Sequence, residues 1–206
     1  MLTLVSKFDP VLRQKARPVE FPGSMAGHLP VLLREMTETM KQESGLGLAA
    51  PQVGLDWQVA VVQLPKHERI ELVNPVLLKA SRKVIVMEGC LSLPGEEYHV
   101  PRSMEILVGY QDRHGKNRVE KFRGLEAQAV QHELDHLAGK LIDEFSREQR
   151  DHEPKPQETP VRVPREQPQR EVVETDVQPG VPAGEQAADY PGPGALVPGR
   201  SGGKQV

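Results

Sequence analysis

The chain has 206 residues, a formal net charge of −3 and a pI near 6.2, so no general electrostatic pull draws it to nucleic acid or to an anionic membrane. No apolar run reaches the roughly eighteen residues that a membrane-spanning helix needs. Cys90 is the only cysteine, which excludes an intrachain disulfide and leaves a lone thiol.

The first residues, MLTLVSKFDPVLRQKARPV, carry scattered charges and no apolar core of a secretory leader. They also lack the Ser/Arg-rich, acid-poor bias of an organelle transit peptide, so the expected location is cytoplasmic. Asp9 followed by Pro10 reads as the cap and first residue of a short helical turn. HLPVLLREMTETMKQES spaces Leu29, Leu32, Leu33, Met36 and Met40 at helical intervals and predicts an amphipathic helix that stops at Gly45. WQVAVVQL, RIELVNP, RKVIVMEG and MEILVGYQD read as strands. A turn from Asp112 to Gly115 then returns KNRVEKFRG as the second arm of a hairpin. LEAQAVQHELDHLA predicts a second helix, closed by Gly139. A helix, several antiparallel strands and a buried helix argue an α+β fold, with the strands packed around that last helix.

Composition shifts near residue 150. Residues 151–206 hold ten of the nineteen prolines and no Phe, Ile, Met or Trp, too little apolar surface to offset ordering. The expected organisation is a folded unit over 1–148 and a disordered Pro/Gly-rich tail over 149–206, either a dispensable solvated segment or a docking element.

His132, Glu133 and His136 form His-Glu-x-x-His. Four residues apart on a helix, the two imidazoles project from one face and can take two corners of a metal site. Glu133 then falls where a general base for a metal-activated water is wanted. The competing reading is a pair of hydrogen-bonded core histidines with Glu133 exposed. A third donor is needed. The extended pattern HExxHxxGxxH ends here on Ile142, which cannot bind metal, and the glutamates beyond Glu148 lie in the tail. Cys90, in VMEGCLSLPG, offers a thiolate and would complete a Cys-His-His set with one position open.

With these residues in place, the sequence resembles the peptide deformylases. GLGLAAPQ (45–52), EGCLS (88–92) and QHELDHL (131–137) stand in that family's order, supported by FDPVLRQKARPV, LVNPVL and VPR, over roughly residues 1–145. GLGLAA also fits a dinucleotide fingerprint, but a helix precedes it and Pro51 interrupts the segment after it, so no nucleotide cofactor is expected. The resemblance implies hydrolysis of the N-formyl group from the formyl-methionine of newly made proteins, releasing formate by attack of a metal-bound hydroxide. It implies a metal held by Cys90, His132 and His136, Fe2+ in the cell with Ni2+, Co2+ or Zn2+ as substitutes, and Glu133 as the proton carrier. The Gln52 amide and the Leu91 N–H would meet the developing oxyanion. Leu46, Gly47, Leu125 and Ala129, with Val86, would line the methionine pocket, Gln128 giving it a polar rim. A buried Glu88–Arg102 pair would brace the Cys90 loop. The expected partners are nascent formyl-Met polypeptides and the ribosome near its exit tunnel, with no membrane and a monomeric chain. Two alternatives stay open: another metal-dependent amidase or peptidase on the same scaffold, and a binding protein that has lost activity.

Overall fold

Val59–Val62 is an uninterrupted apolar run, and its alternation decides the layering. Val59 and Val61 pack with Leu29, Leu33, Met36 and Met40, whereas Ala60 and Val62 pack with Ala127, Ala129 and Val130. Side chains alternate between the faces of a strand, so the two predicted helices cover opposite faces of one sheet. The computed structural model describes residues 2–64, 68–145, 172–174 and 204–205.

In chain order the elements are α1 (Leu29–Gln42), β1 (Gly47–Ala49), β2 (Val59–Val62), β3 (Ile70–Ala80), β4 (Lys83–Cys90), β5 (Leu93–Ser103), β6 (Glu105–Gln111), β7 (Asn117–Arg123), α2 (Gly124–Leu137), β8 (Val172–Glu174) and β9 (Lys204–Gln205). A six-stranded sheet has the order β1-β2-β3-β6-β7-β8, and a three-stranded sheet the order β5-β4-β9. Among the described residues every strand pairing is antiparallel except that of β9 with β4. The α+β expectation holds. Among the described residues no helix is long and apolar enough to cross a membrane.

α1 buries the five side chains that its spacing selected. Full burial of such a side chain contributes about 1.5–3 kcal/mol, so this face fixes the helix on the sheet. Before it, Asp9 accepts a hydrogen bond from Val11 N and caps the turn Pro10–Arg13. α2 ends in a paired-carbonyl cap. Gly139 N donates to His136 O at 3.1 Å and Lys140 N to Asp135 O at 2.9 Å. Gly139 has φ +75°, and the Gln14 backbone lies where a Cβ would come within 2.7 Å, so conformation and space both demand glycine.

Four strands escaped the sequence reading, the short β1, β8 and β9 and the long β5. Leu93–Ser103 pairs along the whole of β4, from Lys83 opposite Ser103 to Gly89 opposite Glu97, before the register breaks at Cys90. A third apolar cluster of Leu12, Cys90, Leu93, Val100, Leu141 and Ile142 ties this hairpin to the chain after α2. The disordered tail was expected over residues that mostly lie outside the described set. The two described pieces have strand backbone, β8 on β7 and β9 on β4.

Candidate metal centre

α2 turns His132, Glu133 and His136 inward, and β4 delivers Cys90 to them from the second sheet. All four are buried, and Glu133 is 0% exposed. The reading of an exposed Glu133 therefore fails. The imidazoles meet edge to face with centroids 4.9 Å apart. Cys90 Sγ lies 3.3 Å from His136 Nε2, and one donor atom from each of Cys90, His132 and His136 falls within 4.8 Å of the others. The S···N edge of a tetrahedral thiolate–imidazole site is roughly 3.6 Å by its usual bond lengths, inside that range.

Orphaned atoms point the same way. His132 Nε2, His136 Nδ1 and both Glu133 oxygens are buried with no hydrogen-bond partner among the described residues. Leaving a buried polar group unsatisfied costs about 1–3 kcal/mol, so a site with this many calls for a further group. A soft thiolate and two imidazoles suit a transition-metal dication, and the residues present fit one.

The surroundings hold the donors in place. His132 Nδ1 lies 3.0 Å from Glu88 Oε2, which fixes that nitrogen as donor and turns the Nε2 lone pair toward Cys90. Arg102, wholly buried, donates from Nε and Nη2 to the two Glu88 oxygens at 2.8 and 2.9 Å, and from Nη1 to Asp135 at 2.5 Å. The braced pair was expected. Asp135 was missed, although a buried acid on a buried helix face needs a cation and Arg102 supplies it. Phe145 covers the guanidinium, its ring centre 5.7 Å away.

These contacts set the protonation of the protein's own groups. Burial pushes the Glu88 carboxyl up, but Arg102 and His132 together outweigh it and hold it at about 2. Burial pulls His132 down, yet Cys90 and Glu88 raise it well above its ordinary value. Burial and then His132 take His136 down to about 4. Burial, helped by the negative charge of Cys90 and Glu88, pushes Glu133 up to about 7 against the pull of both histidines.

Gln52 sits in the short turn Ala50–Val53. Its Oε1 accepts from Ala49 N at 2.8 Å, which settles the amide orientation and aims Nε2 at Ser92 Oγ (3.2 Å) and Cys90 Sγ (3.8 Å). Ser92 lay inside a recognised motif without a role of its own. Leu91 follows Cys90 and packs on Gly45, where an added Cβ would come within 2.7 Å of its Cδ1. Leu46 and Ala129 share one apolar cluster, with Leu125 packed against it, and Gly47 abuts Glu133. Val86 is buried and Gln128 half-buried. A cavity of about 310 Å³ opens alongside, lined by Met40, Lys41, Ser44, Gly45, Leu46 and Gln63.

Cys90 of β4 set against the two histidines of a His-Glu-x-x-His helix defines a metal-dependent hydrolase. Comparison with known proteins says which kind. The polypeptide deformylase family model matches residues 1–151, and the chain belongs to that family. The peptide deformylase of Dictyoglomus turgidum is 42% identical over 134 residues, covering 65% of this chain and 85% of the relative. The crystal structure of peptide deformylase from Thermus thermophilus superposes with a TM-score of 0.66 at 41% identity, over 70% of this chain and 84% of that one. A Met-Ala-Ser-bound class I type b peptide deformylase from Acinetobacter baumannii gives a TM-score of 0.64 at 31% identity, over 69% and 96% of the two chains. Family membership implies a hydrolase of protein biosynthesis that removes the N-formyl group from nascent peptides.

Proposed function

We propose that this chain hydrolyses the formamide of N-terminal formyl-methionine, with Cys90, His132 and His136 holding a divalent cation, Fe2+ in the cell, and Glu133 carrying the proton. The observation that bears most weight is the convergence of Cys90 Sγ and the two imidazoles beside a buried Glu133 carboxyl that no described protein group satisfies. The chemistry such a cation supplies when bound is Lewis acidity, which brings the pKa of water toward neutrality and makes hydroxide available.

The chain's own residues do the rest. Glu133 accepts a proton from the attacking water and returns it to the departing nitrogen as the formyl C–N bond breaks. Formate and a free amine result, and proton transfer of this kind contributes about 10²–10⁴-fold. Gln52 Nε2, oriented because Oε1 accepts from Ala49 N, donates to the developing charge on the formyl oxygen, and the Leu91 N–H is the second donor. Leu46, Gly47, Leu125 and Ala129 shape the slot for the methionine side chain. Leu46 and Ala129 share one apolar cluster with Leu125 packed against it, and Gly47 lies against Glu133, which supports that role. The Met-Ala-Ser occupant of the Acinetobacter relative is what deformylation of formyl-Met-Ala-Ser would leave.

Residues 1–148 are the catalytic unit in this reading, acting as a monomer in the cytoplasm on chains leaving the ribosomal exit tunnel. Residues 149–206 form a separate Pro/Gly-rich segment in this reading, most of it outside the described residues. The assay is formate release from formyl-Met-Ala-Ser, with peptide-bond cleavage of unformylated Met-Ala-Ser as the comparison. Formate from the first and no cleavage of the second is expected, with an equal kcat from a chain ended after Glu148. The reverse pattern would make the chain a peptidase.

A further inference from the structure

The small sheet has two unlike edges. One strand of it, β4, is covered on one side by β5 over eight register positions. Along its length β4 runs to the metal centre, ending at Cys90. The six-stranded sheet contributes a second edge there, β1, whose Gly47 lies against Glu133. An edge strand presents a row of N–H and C=O groups ready to pair with an extended segment. β9 takes the β4 edge at the point nearest the site: Lys204 lies opposite Glu88 and Gln205 opposite Gly89, in parallel register, one residue short of Cys90. β8 pairs with β7 about thirty residues earlier in the chain.

We propose that the C-terminal segment around Lys204–Gln205 is a resident competitor for the substrate, added as a strand to the edge of β4 beside Cys90. This rests on the reading that an extended formylated peptide brings its N-terminus to Cys90. Two paired residues bind weakly on their own. Tethering raises their effective concentration to about the millimolar range, enough to compete with a short peptide. A long nascent chain with more pairing positions displaces the segment, so the tail sets a threshold on what enters. The occupant makes no bond and changes no oxidation state, and its effect falls on apparent affinity alone.

The full-length Lys204→Pro/Gln205→Pro variant tests this, because proline removes the backbone donors that a strand must offer. KM for formyl-Met-Ala-Ser should fall about two- to tenfold with kcat unchanged, as expected when a tethered competitor is released. Amide exchange at residues 88–90 should quicken in the unliganded variant. A synthetic peptide of residues 199–206 at millimolar concentration should raise KM again and leave kcat alone. Equal KM, or equal exchange at residues 88–90, in wild type and variant would overturn the proposal. If neither protein releases formate, the reading of the reaction falls, and the exchange comparison still decides whether the segment occupies this edge.

Discussion

Gly47 has no room for a methyl group. A Cβ there would lie 2.2 Å from Glu133 Oε1 and 2.8 Å from its Cδ, so an alanine must push the carboxylate aside. The end of a glutamate side chain can move, so Gly47→Ala should fold and retain metal while misplacing the proton carrier. A displacement near 1 Å costs on the order of 10² in rate, and kcat should drop by about that factor. Equal kcat at equal metal content would separate Glu133 from the reaction. Arg102 acts one step further out, joining Glu88 of β4 to Asp135 of α2. Arg102→Ala strands two buried carboxylates and should cost about 3–5 kcal/mol in urea unfolding. With Glu88 released, His132 loses its orientation, and metal affinity should fall about 10–100-fold by competition titration. An unchanged metal Kd would show that the brace holds the fold and not the ligand.

The elements were read most easily where a local rule decides. The helix spacing of Leu29, Leu32, Leu33, Met36 and Met40 needs no partner to be recognised, and neither do histidines four apart. β5 hid because Pro94, Gly95, Glu96, Glu97 and Pro101 resemble a loop. Pairing with β4 overrides that preference, and the context dependence of strand propensity is the reason. The β6–β7 hairpin shows the opposite case, a turn specified by one side chain. Asp112 Oδ1 accepts from His114 N at 2.9 Å and Lys116 N at 3.0 Å, and Oδ2 accepts from Arg118 at 3.0 Å. Partial burial raises the Asp112 carboxyl, but these donors outweigh it and hold it below its ordinary value. A lowered folded pKa means the unfolded chain binds the proton more readily. The contribution is therefore present above the unfolded value near 4 and is lost as pH falls below it. Asp112→Ala should lower stability by about 1–2 kcal/mol at neutral pH. The gap to wild type should narrow in acid thermal melts, and a constant gap down to about pH 2 would contradict the assignment.

At the scale of the molecule, the site lies where two sheets meet. α2 packs on the larger sheet and carries His132, Glu133 and His136, while the smaller sheet brings in Cys90 from 42 positions before His132. The sequence shows the donors because their chemistry is distinctive, and it shows Glu88 and Arg102 as a candidate buried pair. It does not show that Asp135 closes the network or that Ser92 meets Gln52, since both contacts depend on how the sheets dock. The tail's strands were invisible for a related reason, because backbone pairing leaves little trace in a proline-rich composition.

The most direct test is formate release from formyl-Met-Ala-Ser by protein prepared anaerobically with Fe2+, beside Glu133→Ala carrying the same measured metal content. The account predicts formate from the wild type and a kcat lower by about 10²–10⁴-fold in the variant. Comparable turnover by the two proteins, or no formate from metal-loaded wild type, would contradict it.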